Sequence, residues 1–129
     1  MAKLFYLATR IDRADEANSI SVALNSHGWE RTLNWSAQEN AIHSELAVAE
    51  LLAVAAADVL IVMLPGGFGT HVEIGAALAL NKPVILHAPD QKTLQTPYPC
   101  IFHFHPGIKL LVSETLDINE LLSCLPSGV

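Results

Sequence analysis

The chain has 129 residues, with 13 acidic and 7 basic side chains and a formal net charge of −6. Its 51% hydrophobic content is typical of a single globular domain and argues against a disordered chain. The acidic balance argues against nucleic acid as a partner, because polyanions are held chiefly by clustered Lys and Arg side chains.

The two cysteines, Cys100 and Cys124, form no metal or redox motif and are expected to be ordinary thiols of a reducing compartment. The N-terminal apolar run is too short for a signal peptide, and no run reaches the roughly 18–20 apolar residues that a membrane helix needs. We therefore expect a cytoplasmic protein with no membrane contact.

Hydrophobic patterning predicts strands alternating with helices, as a parallel sheet requires. A capping box of Ser36 and Glu39 is predicted to open the second helix. The pattern indicates one α/β domain over residues 1–129, a doubly wound, flavodoxin- or Rossmann-like parallel five-stranded sheet in a three-layer sandwich. The predicted strands are 4–8, 29–34, 58–64, 83–87 and 108–112, and the predicted helices are 12–26, 37–57, 70–81 and 116–125.

Ligands of doubly wound sheets bind beyond the carboxyl ends of the strands, near the point where the strand order reverses. This rule predicts that four segments surround one crevice. They are the loops at 8–12, 34–35, 64–73 and 87–90.

The glycine-rich string LPGGFGTHVE leaves a buried strand and enters a helix. Gly66, Gly67 and Gly69 allow close backbone approach to a ligand, so that successive N–H groups and the helix N-terminus can bind an anion. Thr70 is a candidate N-cap or hydroxyl donor, and Glu73 is expected on the first helical turn, facing the crevice. The alternative is a purely structural turn, with Thr70 and Glu73 forming a capping box.

The string PGGFGTHVE fits the PGGxGTxxE motif of the "lonely guy" phosphoribohydrolases, which release a base from a nucleoside monophosphate. Over residues 4–87 the chain also resembles the nucleoside 2-deoxyribosyltransferase superfamily, which includes the deoxynucleoside 5′-monophosphate N-hydrolases. The wider resemblance is carried by FYLA near the N-terminus, by Glu50-Leu51, by Ala57-Asp58, by GTxxEIGxA and by Lys82-Pro83-Val84.

The resemblance implies that Glu73 is the nucleophile, or the carboxylate that stabilises positive charge at the anomeric carbon. It implies that Glu50, which stands where the transferases carry an Asp, assists departure of the base. The expected activity is N-glycosidic cleavage or 2-deoxyribosyl transfer on a nucleoside or nucleoside 5′-monophosphate. The resembled hydrolases need no metal, and no cofactor is expected.

Two departures from the resembled families bear on the substrate. The transferases carry an Asp six residues before the catalytic Glu, and the nucleotide hydrolases a Ser, whereas this chain has Gly67, as the phosphoribohydrolases do. This glycine favours a phosphorylated substrate held by backbone amides. The loop at 9–12 lacks the Gly-Ser-Ser pattern of the phosphoribohydrolases. The alternative is a non-catalytic nucleotide-binding module of the same fold.

Further candidates follow the first two strands. Thr9, Arg10 and Asp12 are candidate ligands of phosphate or sugar hydroxyls, Arg10 through its planar fork; the alternative is a solvated loop in which Asp12 caps the first helix. Trp35 is either a stacking surface for a base or part of the core or an interface. His71, on the glycine-loop helix, is a candidate substrate contact.

The His103-x-His105 pair would need a third ligand to hold a metal, and none follows it, so a pocket wall or a subunit contact is expected instead. The helix predicted at 37–57 has more apolar surface than one small sheet can cover. With the resembled families, this surplus predicts a homodimer or higher homo-oligomer.

Overall fold

The computed structural model describes residues 3–38 and 40–127. Within them the strands are β1 (Lys3–Thr9), β2 (Trp29–Arg31), β3 (Val59–Met63), β4 (Val84–Ala88) and β5 (Ile108–Val112). The helices are α1 (Ala14–Asn25), α2 (His43–Ala56), α3 (Phe68–Ala79) and α4 (Ile118–Cys124). No helix in this part of the chain is both long and apolar enough to cross a membrane.

The five strands form one parallel sheet in the order β2-β1-β3-β4-β5. This order confirms the predicted doubly wound class. It reverses between β1 and β3, so the connections that leave these two neighbouring strands run to opposite faces of the sheet. The crevice between them is where a ligand is expected to bind.

The core has two halves because successive side chains of a strand point to opposite faces. Tyr6 belongs to the cluster that includes Val54 of α2 and Ile74 of α3. Its neighbour Phe5 belongs to the other cluster, with Leu24 of α1. Helices therefore cover both faces of the sheet, which gives the predicted three-layer sandwich and explains why the central strands are apolar throughout.

The segment after β2 differs from the prediction. The predicted strand 29–34 ends at Arg31, and the predicted helix 37–57 begins only at His43. The side chain of Asn34 accepts hydrogen bonds from the backbone N–H and the hydroxyl of Ser36, which holds a 3₁₀ turn over Trp35–Ala37. Ser36 is thus engaged in this turn and does not cap α2. The other half of the predicted capping box, Glu39, lies outside the described residues.

Candidate active site

A cleft of about 360 Å³ opens at the carboxyl ends of β1 and β3, where the strand order reverses. It brings together most of the residues that the sequence singled out. The lining includes Thr9, Arg10, Trp35, Glu50, Gly67, Gly69, Thr70 and Glu73, and it is completed by Ile11, Leu46 and Phe68.

Two carboxyl groups of this cleft meet one phenol just beneath its floor. Glu73 lies on α3 and is only 5% exposed. The hydroxyl of Tyr6, a fully buried residue of β1, lies 2.5 Å from Glu73 Oε2 and 3.3 Å from Glu50 Oε1 on α2. The single phenolic proton is donated chiefly to Glu73, since that contact is the shorter one. Three secondary-structure elements thus fix the position of the Glu73 carboxyl.

Burial, followed by the hydrogen bond with the adjacent Glu50 carboxyl, raises the pKa of Glu73 to about 9, while donation from Tyr6 acts in the opposite direction. Burial, followed by the charge of Glu73, also raises the pKa of Tyr6. Tyr6 therefore stays protonated and remains a donor. At neutral pH the carboxyl pair therefore retains a proton, as expected when two acids share a desolvated space.

The glycine loop presents the N-terminus of α3 to the cleft. Gly67 is the N-cap, so Thr70 does not take the first of the two roles predicted for it, N-cap or hydroxyl donor. The N–H of Gly67 donates to Thr70 Oγ1 over 3.1 Å. Because α3 begins at Phe68, Glu73 lies on its second turn, one turn later than predicted. The first N–H groups of a helix have no intrahelical acceptor, so this end of α3 suits an anion.

Gly66 and Gly67 differ in what surrounds them. A Cβ added to Gly66 would lie 2.7 Å from Thr70 Cγ2, so the loop needs a glycine there to close over the buried threonine. At Gly67 the nearest atom to such a Cβ is Arg10 Cγ, at 3.9 Å. The Gly67 side of the loop faces open space in the cleft, and Gly66 lines a neighbouring cavity instead.

Of the three candidate residues in the loop after β1, Thr9 and Arg10 line the cleft and Asp12 does not. Thr9 Oγ1 donates to the carbonyl of Met63 over 2.6 Å, which ties β1 to β3 and leaves the oxygen free to accept. Arg10 lines the cleft, and its Nε lies 2.6 Å from Asp12 Oδ1 at the surface. Asp12 itself does not line the cleft, and α1 has no side-chain N-cap. Asp12 is therefore connected to the cleft through its ion pair with Arg10.

Trp35 reaches the cleft from the 3₁₀ turn after β2. Its indole N–H donates to the carbonyl of Leu7 over 2.7 Å, which fixes the ring beside β1. The guanidinium of Arg31 lies 5.8 Å from the ring centroid. The polar atom of the indole is thus used by the fold, and the rest of the ring is available to form an apolar wall of the cleft.

His71 lies outside the cleft in which it was expected. Its ring lines a second cavity of about 260 Å³, on the other side of the glycine loop. Its Nδ1 is 2.8 Å from the carbonyl of Gly67, and its Nε2 is 2.8 Å from His103 Nε2. A histidine on the first turn of α3 could face either side of the loop, and its hydrogen bond to Gly67 fixes the side away from Glu73.

The His103-x-His105 pair is not an alternating pair on a strand. His103 is buried in the 3₁₀ helix Ile101–Phe104, whereas His105 is exposed and accepts a hydrogen bond from the N–H of Gly107. The two imidazoles therefore have different environments and do not share a site.

Sequence reasoning missed the role of Tyr6, which was noted only as part of the FYLA string. The available signal was a lone phenol inside an otherwise apolar strand that ends at the crevice, because a buried Tyr hydroxyl needs a partner. Leu46 and Phe68 were also missed. Phe68 is 98% exposed at the rim of the cleft, and no pattern in the sequence distinguishes it from a core aromatic residue.

The fold and the cleft define a doubly wound α/β protein with a buried carboxyl group at the switch point of its sheet. No protein-family model matches the chain, and no curated protein matches its sequence. Among solved structures it is similar to the CMP N-glycosidase BcmB of Clostridium botulinum, with a TM-score of 0.66 and 21% sequence identity. The match covers 94% of this chain and 96% of that one. At this identity the likeness shows a shared fold.

Proposed function

We propose that the protein cleaves the bond between base and sugar in a nucleoside 5′-monophosphate, with Glu73 as the nucleophile. The observation that carries this proposal is the Glu73 carboxyl, buried at the switch point, bonded to Tyr6 and paired with Glu50 beside a helix N-terminus. The similar structure is a CMP N-glycosidase, which supports the same reaction class.

In the proposed reaction the ionised Glu73 carboxylate attacks the anomeric carbon and forms an ester with the sugar. The bond to the base breaks at the same time, and the base leaves with its electron pair and a proton from Glu50. Water then attacks the same carbon and gives its proton to Glu50, which frees Glu73. The proton held by the carboxyl pair must therefore lie on Glu50 when the substrate is in place.

The substrate's phosphate is proposed to bind at the N-terminus of α3, at the open side of Gly67. Arg10 lies against this position, and its one ion pair within residues 3–38 and 40–127 is with the exposed Asp12, so it is able to turn toward a phosphate. Trp35 offers an apolar surface for the base or the sugar.

The acceptor in the second step distinguishes two activities. A hydrolase needs only water in that step, whereas a deoxyribosyltransferase would admit a second base.

The function is tested by incubating the protein with a panel of ribo- and deoxyribonucleosides and their 5′-monophosphates, with and without a second base as acceptor. We expect chromatography to detect free base from a monophosphate with the wild type, and a loss of at least about 10³-fold with Glu73→Ala. Glu45→Ala, at an exposed position on α2, is the matched control and is expected to retain activity.

Each result of the panel has a distinct meaning. Base release that survives in Glu73→Ala would contradict the assigned nucleophile. Binding of a monophosphate by the wild type without any base release would reject the enzyme and favour the alternative, a non-catalytic nucleotide-binding module. Release from free nucleosides alone would reject the phosphate site at α3.

A second expected result is retention of configuration at the anomeric carbon. Both carboxyl groups lie within 3.3 Å of one hydroxyl, which leaves no room for the water that separates carboxyls about 6.5–9.5 Å apart in inverting glycosidases. With methanol as acceptor, we expect NMR to show a β-methyl glycoside from a β-nucleotide. An α-methyl glycoside would indicate direct attack by the acceptor and contradict the covalent intermediate.

We also propose that the chain forms a homodimer or higher homo-oligomer, as predicted from its sequence. The support is apolar surface on two adjacent helices. Val48, Leu51 and Leu52 of α2 and Val72 of α3 are all exposed in the isolated chain. Phe68, at the rim of the cleft, extends this surface toward the site. Burying such a surface against a second copy would remove it from water.

A further inference from the structure

Three potential metal ligands meet on the far side of the glycine loop from Glu73. His71, Cys100 and His103 each offer a ligand atom, and these atoms all lie within 4.8 Å of one another. All three residues line the same cavity, of about 260 Å³. They come from two segments that are distant in the sequence, the first turn of α3 and the 3₁₀ helix with its N-cap Cys100.

The two histidines face each other through their Nε2 atoms, which are 2.8 Å apart. Two nitrogens bound to one tetrahedral Zn²⁺ at 2.0–2.1 Å would lie about 3.3 Å apart, so a small separation of the rings is enough to admit the ion. The thiol of Cys100 is free and partly exposed. Two imidazoles and a thiolate are a ligand set that Zn²⁺ favours.

The orientation of His71 is already that of a metal ligand. A carbonyl oxygen only accepts hydrogen bonds, so His71 Nδ1 must carry the proton that it shares with Gly67 over 2.8 Å. Its Nε2 therefore presents a lone pair toward His103. Metal-binding histidines commonly donate the other ring N–H to a backbone carbonyl in this way, which fixes the tautomer and the ring orientation.

We propose that His71, Cys100 and His103 form a Zn²⁺ site whose fourth position opens into the cavity that they line. On binding, the Cys100 thiol releases its proton to solvent and His103 moves its proton from Nε2 to Nδ1. That Nδ1 has no hydrogen-bond partner among residues 3–38 and 40–127, so no contact in this part of the fold opposes the change. The expectation from sequence, that no metal binds, considered the cysteines by themselves and His103 only with His105, and did not combine Cys100 with the two histidines.

The ion would join the 3₁₀ helix Ile101–Phe104 to the start of α3. Because His71 also holds the carbonyl of Gly67, the site would stiffen the loop that forms one wall of the Glu73 cleft. None of its three ligands lines that cleft, so the metal site takes no direct part in the proposed chemistry at Glu73.

The test uses the full chain, freed of any histidine tag and treated with a chelator, and Co²⁺ as a spectroscopic probe. We expect one Co²⁺ per chain, with the visible bands of a tetrahedral ion and an ultraviolet thiolate-to-cobalt charge-transfer band, both removed by Zn²⁺. Cys100→Ser is expected to lose the charge-transfer band, and His103→Gln to weaken Zn²⁺ binding by at least about 100-fold.

Cys124→Ser and His105→Gln are the matched controls, because they remove the other cysteine and the neighbouring histidine. Both are expected to bind Co²⁺ as the wild type does. Circular dichroism of the metal-free variants checks that each is folded, and Zn²⁺ is expected to raise the Tm of the wild type but not that of Cys100→Ser. Substoichiometric uptake by the wild type, or a thiolate band that persists in Cys100→Ser, would overturn the proposal.

Discussion

Replacing Glu73 by Gln is expected to abolish base release and to stabilise the protein in alkaline solution. The pKa of the Glu73 carboxyl is raised by burial to about 9, far above its value in an unfolded chain. The folded state therefore holds a proton that the unfolded state loses, and stability falls as the pH rises from about 4.5 toward 9, by at most about 1.4 kcal/mol per pH unit. Gln resembles the protonated acid and does not titrate.

The measurement is the difference in free energy of unfolding between Glu73→Gln and the wild type across this pH range. We expect the two proteins to be similar near pH 5 and the variant to be the more stable by an amount on the order of 2 kcal/mol or more near pH 9. Titrating groups remote from the cleft are common to both chains, so the difference reports Glu73 together with the two groups that it contacts, Tyr6 and Glu50. Glu45→Gln, at an exposed position on α2, should show no such divergence. A constant difference across the range would mean that Glu73 is ionised in the folded protein.

The expected gain in stability and the expected loss of activity have the same cause, the buried carboxyl group of Glu73. A carboxylate kept in a desolvated cleft is costly to the fold, and Gln removes that cost together with the proposed nucleophile. Gln has nearly the same shape and volume as Glu, so it would fill the space beside Tyr6 equally well if packing were the only role of residue 73. Increased stability with complete loss of base release would therefore mark Glu73 as a residue retained for chemistry.

Sequence patterning predicted the sheet well because apolar runs report burial directly. The strand at 108–112 was predicted to the residue, and the third strand within one residue at each end. The segment 31–43 was predicted poorly, because the side chain of Asn34 holds a local turn that no periodicity reveals. The same kind of contact fixed Gly67, not Thr70, as the N-cap of α3.

The cleft was predicted in outline because the glycine string and the strand ends locate it. What the sequence could not give is the direction of individual side chains. His71 and Glu73 lie two residues apart on α3 and face different cavities. Tyr6 belongs to an apolar strand, yet its hydroxyl reaches two acids that are 44 and 67 residues away in the sequence. Such contacts depend on the packing of α2 and α3 on β1.

Replacing Tyr6 by Phe is expected to lower kcat without a comparable change in KM, and to make the loss depend on pH. The phenol donates to Glu73 and lowers its pKa, so removing the hydroxyl is expected to raise that pKa further. A hydrogen bond to a charged group contributes about 1.5–3 kcal/mol, which corresponds to roughly a 10–150-fold loss. Tyr6 is buried beneath the cleft and does not line it, so it acts as a positioning residue.

The pH profile separates this role from simple damage to the fold. If base release needs ionised Glu73, the acid limb of the pH–rate profile should move to higher pH in Tyr6→Phe. The activity of the variant should then recover partly as the solution becomes more alkaline. Tyr98→Phe removes the hydroxyl of an exposed tyrosine and should leave both rate and profile unchanged. An equal loss at every pH would show that the phenol supports packing alone. A shifted limb would show that its proton helps Glu73 to carry the negative charge with which it attacks the sugar.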